Sequence, residues 1–123
     1  MKTDEWPFEY FMLDEFTCKC GCGENRIEWE LVHKLEMIRQ TYYRGPLAVS
    51  SGYRCPAHDA AVNGKGNHST GFAADVIVPK GAMLMDFALA CGAVNLPRVI
   101  VYHALPHVHV DMVPGRAPGL YVL

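Results

Sequence analysis

The run HVHVDMV, His107 to Val113, constrains this chain more than any other stretch. Its ionisable residues His107, His109 and Asp111 alternate with Val108 and Val110. On a strand, successive side chains point to opposite faces. One face of this strand must therefore meet an apolar core, while the other carries two imidazoles and a carboxylate. That demands a sheet covered by apolar packing on one side, with a polar floor on the other. A chain of 123 residues suits one such domain, spanning 1–123, with one core.

The remaining segments supply what such a sheet needs. Residues 1–16 read as an extended or turn-rich segment anchored by Phe11, Leu13 and Phe16, and CKCGCGEN as a glycine-rich loop. From Glu28 to Tyr43 the apolar residues Leu31, Val32, Leu35 and Ile38 fall at helical spacing, with charges on the other face and Gly45–Pro46 as a stop. Leu47 to Arg54 predicts a strand running into a turn, CPAHDAAV a helical turn and NGKGN a loop. Phe72 to Val78 predicts a strand ended by Pro79, Lys80 and Gly81. Ala82 to Cys91 predicts a second helix with Gly92 as its stop. Arg98 to His103 and His107 to Val113 predict two more strands, joined by a turn at Ala104 to Pro106. The Pro/Gly-rich tail GRAPGLYVL has a hydrophobic end. This order predicts an α+β fold, a small antiparallel sheet packed against helices on one face.

Charge and composition narrow the partners. A net charge of −2 gives no basic footprint for nucleic acid and no polybasic patch for anionic lipid. No apolar stretch approaches the ~20 residues of a membrane helix. The opening MKTDEWPFEYFML lacks the continuous apolar core of a secretory signal. The chain is expected to be made in the cytoplasm and to act as a monomer, with delivery by another system if its target lies outside. Five cysteines, an odd number, argue against a disulfide framework in such a chain.

The chemistry concentrates in two places. In NHSTGFAADV, His68 precedes Asp75 by seven residues. Gly71 lets the chain turn close to whatever His68 binds, and Ala73 and Ala74 leave room beside Asp75. Adding one imidazole of the His107/His109 pair gives two imidazoles and one carboxylate, which fill three positions of a tetrahedral zinc and leave the fourth for water. A histidine pair on a strand is weak on its own; the pair together with His68 and Asp75 makes a metal site the sharper reading.

These residues also carry a resemblance. The pattern His-x-x-Gly-x-Ala-x-Asp, as His68, Gly71, Ala73 and Asp75, resembles the first metal motif of the zinc D-Ala-D-Ala carboxypeptidase family. That family includes cell-wall DD-peptidases, vancomycin-resistance dipeptidases and phage endolysins, and Hedgehog signalling domains share its fold. The stretch SGYRCPAHDAAVNG, Ser51 to Gly64, is similar to the family's segment upstream of that motif, and HVHVDM to its last metal strand. The opening DEFTCKCGCG resembles a short, stand-alone, often phage-encoded branch. The resemblance implies that His68, Asp75 and His109 hold zinc and that Arg54 contacts substrate or the developing oxyanion.

The general base is the chief departure from the family pattern. Relatives often carry a carboxylate a few residues before the last ligand, but Tyr102 to His109 reads YHALPHVH. His103 is the first choice here, since an imidazole can accept a proton near neutral pH. His107 and Asp111 are alternatives, and Asp111 could instead orient a histidine from behind. Gly66 and Asn63 replace a serine and a glycine common in relatives. Tyr53 is expected as a wall of the site, next to Arg54. Cys18, Cys20 and Cys22 read as reduced cysteines packed under their loop; a metal shared with Cys55, or a disulfide to it, are the alternatives.

The resemblance thus implies a zinc metallopeptidase that hydrolyses peptide bonds in peptidoglycan stem peptides or cross-links. It would be of the D-Ala-D-Ala carboxypeptidase or endopeptidase type and serve a phage or prophage, reaching the wall after release or as a virion component. The rival is a non-catalytic zinc-binding module that binds peptidoglycan or a protein partner.

Overall fold

The structure, a computed structural model, describes residues 5–123. Its centre is the strand that the alternation predicts. This is β4, His107–Asp111, in a sheet with β1 (Ala48–Ser51), β2 (Ala73–Ile77), β3 (Arg98–Val101) and β5 (Gly119–Val122). The spatial order is β1-β2-β4-β3-β5. The first four strands pair antiparallel, and β5 adds to β3 in parallel.

Val108 and Val110 point into the core together with Ala74 and Val76 of β2 and Val99 and Val101 of β3. Helices α1 (Trp29–Met37) and α3 (Ala82–Ala93) cover that face through Leu31, Val32, Leu35, Phe87, Ala90 and Cys91. The opposite face carries the ionisable residues. Register does the rest: Asp75 pairs with His109, and His109 pairs with Ile100 of β3. A one-residue slip would send all these side chains into the core, so the apolar face locks the polar one.

Three elements depart from their predicted bounds. The helix expected over Glu28 to Tyr43 keeps α geometry only to Met37; Ile38–Tyr42 forms a wider π turn. That turn ends with the Tyr43 N–H donating to the Ile38 carbonyl, and Tyr43 is buried edge-on against Phe87. The extra residue per turn swings Tyr43 inward rather than onto the solvated face. Helix α3 runs through Gly92 to Ala93; the left-handed residue beyond it is Asn95, φ 59°, with the Leu96 N–H returning to the Cys91 carbonyl. The tail, expected only as a hydrophobic end, supplies β5.

One charge on α1 is not solvated. Glu36 is buried and its carboxylate accepts the backbone N–H groups of Glu9, at 2.5 Å, and Tyr10, at 2.8 Å. It thereby ties the N-terminal segment, with Phe11 and Phe16, to the helix. Glu36→Ala leaves those N–H groups without their acceptor. The expected cost is about 1–3 kcal/mol, read as a lower urea midpoint with an unchanged slope.

Candidate metal centre

The segment that leads to the site runs along the rim of the polar face. After β1 the chain passes Gly52, whose position is set by close packing: a Cβ there would lie 2.5 Å from the Phe16 Cα. Its carbonyl meets the Nδ1 of His68 at 2.8 Å. His68 opens a short 3-10 turn, His68–Thr70, closed by Gly71 at φ 85°. A Cβ on Gly71 would collide with the Arg26 carbonyl, while the Gly71 carbonyl accepts the Glu28 N–H at 2.8 Å. Glycine is therefore required here on two counts, the left-handed backbone and the lack of space. The turn delivers the chain into β2, where Asp75 follows.

His68, Asp75 and His109 come together, with one ligand atom from each lying within 4.8 Å of the others, and all three are buried. The hydrogen bonds behind the rings decide which nitrogens face inward. A backbone carbonyl only accepts, so the Nδ1 of His68 carries the proton and its Nε2 presents a lone pair. The Nε2 of His109 lies 2.6 Å from the Asp111 carboxylate, which also only accepts. That nitrogen carries the proton, leaving the Nδ1 lone pair free. The free nitrogens face the two oxygens of Asp75, His68 Nε2 at 3.5 Å and His109 Nδ1 at 3.1 Å.

Facing acceptors at such distances repel unless a proton or a metal cation lies among them. Burial, the largest single influence, pushes the Asp75 carboxyl up; the bonds to His109 and His68 together outweigh it and hold it well below the usual carboxylate range. Burial likewise opposes charge on His109, but Asp111 and Asp75 raise its pKa above the ordinary value. The Asp75 shift and the Asp75 share of the His109 shift have one source, the pairing of the Asp75 carboxylate with the imidazoles beside it. Two nitrogen donors and a carboxylate suit zinc.

Asp111 is itself held by Arg98, whose Nη1 donates at 3.1 Å, and by the Val113 N–H. Arg98 in turn lies over the ring of Tyr121 in β5, 5.6 Å from its centroid. A chain of contacts thus runs from His109 to the last strand. Asp111→Asn is expected to weaken metal binding by roughly 10–100-fold, measured by competition with a chromophoric chelator.

The three residues sit in a cleft of about 600 Å³ whose wall includes Arg54, Asn67, Arg98, Tyr102, His107 and Arg116. Arg54 is braced by Asp59, 3.1 Å from its Nη1, and reaches the Asp75 Oδ2 with its Nη2 at 3.6 Å. His107 lines the cleft with its ring against Tyr102, centroids 5.4 Å apart. His103 does not: it is exposed in the turn after β3, with its N–H on the Leu123 carbonyl. Along β3 and just beyond it Arg98, Ile100 and Tyr102 line the cleft while Val99 and Val101 face the core, so His103 follows with the parity of the core-facing residues. Tyr53 does not line the cleft either; it is buried beside Cys18 and Cys55. Asn63 adopts φ 58°, a conformation asparagine tolerates better than most residues.

Tyr102 and Arg116 were not read from sequence as cleft residues. Burial, and then the charge of Asp75, push the Tyr102 phenol up, so it stays a donor. Arg116 bonds Asn67 Oδ1 at 2.8 Å and the Lys65 carbonyl at 3.1 Å, both neutral acceptors. Nothing in the tail's spacing signals that return to the loop.

A one-sided sheet with a buried His-Asp-His group in an open cleft defines a domain built to hold a metal ion. The chain belongs to the peptidase M15 family, whose model matches residues 9–111. M15 peptidases depend on zinc, and the chain is accordingly a hydrolase of the zinc metallopeptidase class. No curated protein matches the sequence.

Proposed function

We propose that the chain hydrolyses peptide bonds in peptidoglycan stem peptides or cross-links, as a D-Ala-D-Ala carboxypeptidase or endopeptidase serving a phage or prophage. The observation that carries the reading is the pair of inward lone pairs, His68 Nε2 and His109 Nδ1, converging on Asp75 in an open cleft. His68, Asp75 and His109 hold the zinc. When bound, zinc lowers the pKa of a water from about 15.7 to about 7 and polarises a peptide carbonyl.

The chain's own groups do the remaining work. Arg54, fixed by Asp59, presents its guanidinium to the oxygen that gains charge as the amide carbonyl is attacked. Tyr102, as a protonated phenol on the same wall, is a second donor. His107 takes the proton from the attacking water and returns it to the leaving amine. This role passes to His107 because it lines the cleft and His103 does not. Arg116 bonds only neutral acceptors among the described residues, which suits the free carboxylates of stem peptides. In this reading the protein is made in the cytoplasm, acts as a monomer, and reaches the wall on release or within the virion.

One observation favours the non-catalytic alternative. Among the described residues lining the cleft, Asp75 has the sole carboxylate side chain, and it is committed to the metal group. The two readings separate on purified peptidoglycan, digested with and without a chelator and analysed by mass spectrometry. New amino termini or released D-alanine, suppressed by the chelator, are expected. Full zinc content with no product from several wall types would leave the binding-module reading in its place.

A further inference from the structure

The sulfurs of Cys18, Cys20, Cys22 and Cys55 converge, all four within 4.8 Å of one another. Three come from the loop before α1, and the fourth caps the short helix α2 (Pro56–Ala61) from 33 residues further along the chain, counting Cys55 from Cys22. The loop is shaped for this convergence: Gly21 and Gly23 take φ 93° and 78°, and the Cys18 N–H closes it on the Glu24 carbonyl at 2.9 Å. We propose that these cysteines bind a second zinc ion, a structural one, through four thiolates.

Two features of the geometry support it. Cys20 Sγ lies 3.6 Å from Cys18 Sγ and 3.7 Å from Cys55 Sγ. A tetrahedral zinc with sulfurs at about 2.3 Å spaces them about 3.8 Å apart, whereas a disulfide needs about 2.05 Å. A disulfide would also use only two of the four. The second feature is the surroundings of the sulfurs. Cys18 Sγ accepts the Cys55 N–H at 3.3 Å, Cys55 Sγ the His58 N–H at 3.4 Å, and Cys22 Sγ the Glu24 N–H at 3.4 Å. Backbone donors aimed at three separate sulfurs are what metal-bound thiolates collect around them.

The ion would have a definite task. Between the turn at Leu13–Phe16 and α1 the chain has no helix or strand of its own. A four-thiolate ion clamps that loop to Cys55, the residue after Arg54. The same short segment presents the Gly52 carbonyl to His68 and places its Tyr53 N–H on the Phe16 carbonyl at 2.9 Å. The second zinc therefore holds the stretch that positions both Arg54 and His68. This proposal does not depend on the function proposed above.

The test uses the full chain, purified under a phosphine reductant and loaded with zinc, and counts metal per chain. Two ions are expected in the wild type and one in the His68→Ala/His109→Ala double variant. Loaded with cobalt(II), that variant should show thiolate-to-cobalt charge-transfer absorption, which Cys20→Ser/Cys22→Ser abolishes. A readout free of variants is alkylation of the wild type followed by peptide mapping. Exposed Cys20 and Cys22 should react slowly with metal present and on the order of tenfold or more faster after chelation. A wild type holding one cysteine-dependent zinc would sink the histidine site and leave this one standing. No zinc in the histidine double variant with equal alkylation rates before and after chelation overturns the proposal. So does a disulfide among these four cysteines that persists under the reductant.

Discussion

His109→Ala is expected to lose both the metal of the histidine site and all detectable peptidase activity. His109 is the hinge of the site. Its Nδ1 faces Asp75 and its Nε2 is held by Asp111 at 2.6 Å. Alanine leaves two buried carboxylates without the imidazole between them, and a single histidine cannot restore the donor set. The pKa of water reverts from about 7 to about 15.7 without zinc, so turnover should fall below detection. Zinc content by mass spectrometry and product release from peptidoglycan are read together. Far-ultraviolet circular dichroism establishes that the variant keeps its sheet. A folded variant that lacks the zinc of the histidine site and still cleaves would remove that zinc from the chemistry.

The second large effect separates two histidines four residues apart in sequence. His107→Ala should lower kcat by about 10²–10⁴-fold, the usual contribution of a positioned general base. His103→Ala should leave kcat nearly unchanged, because His103 is exposed and lies off the cleft wall. Zinc content should stay at the wild-type level in both variants. The reverse pattern would return the proton-transfer role to His103.

These assignments show where sequence is readable. The one-sided sheet is legible in HVHVD because burial of Val108 and Val110 leaves no choice of face for His109 and Asp111. The grouping of His68 with Asp75 is legible because a turn at Gly71 needs few residues to bring them together. His103 is chosen by its distance in sequence from His109, which says nothing of face: it has the parity of core-facing Val99 and Val101, whereas Arg98, Ile100 and Tyr102 line the cleft. Glu36 reads as solvated because helical spacing cannot show that an N-terminal segment folds back over it. Strand β5 has no apolar face to detect: Leu120 and Val122 are 59% and 68% exposed. Cys55 and Arg116 reach their partners across long stretches of chain, and no local pattern encodes such a meeting. Tyr53 follows the same rule, turned toward the cysteines by packing that its neighbour Arg54 does not share.

The support behind the ligands is as specific as the ligands themselves. The Gly52 carbonyl and Asp111, which Arg98 holds, decide which nitrogen of each ring is left for the metal position. That makes the central claim sharper than a ligand set: zinc should bind His68 through Nε2, Asp75 through its carboxylate and His109 through Nδ1. The direct test is a crystal structure of the zinc-loaded protein, with anomalous difference maps on both sides of the zinc edge. The expected result is a zinc peak bonded to those three groups, with His109 Nε2 still on Asp111. A zinc-replete crystal with no peak there, or with zinc on the Nε2 of His109, would contradict it.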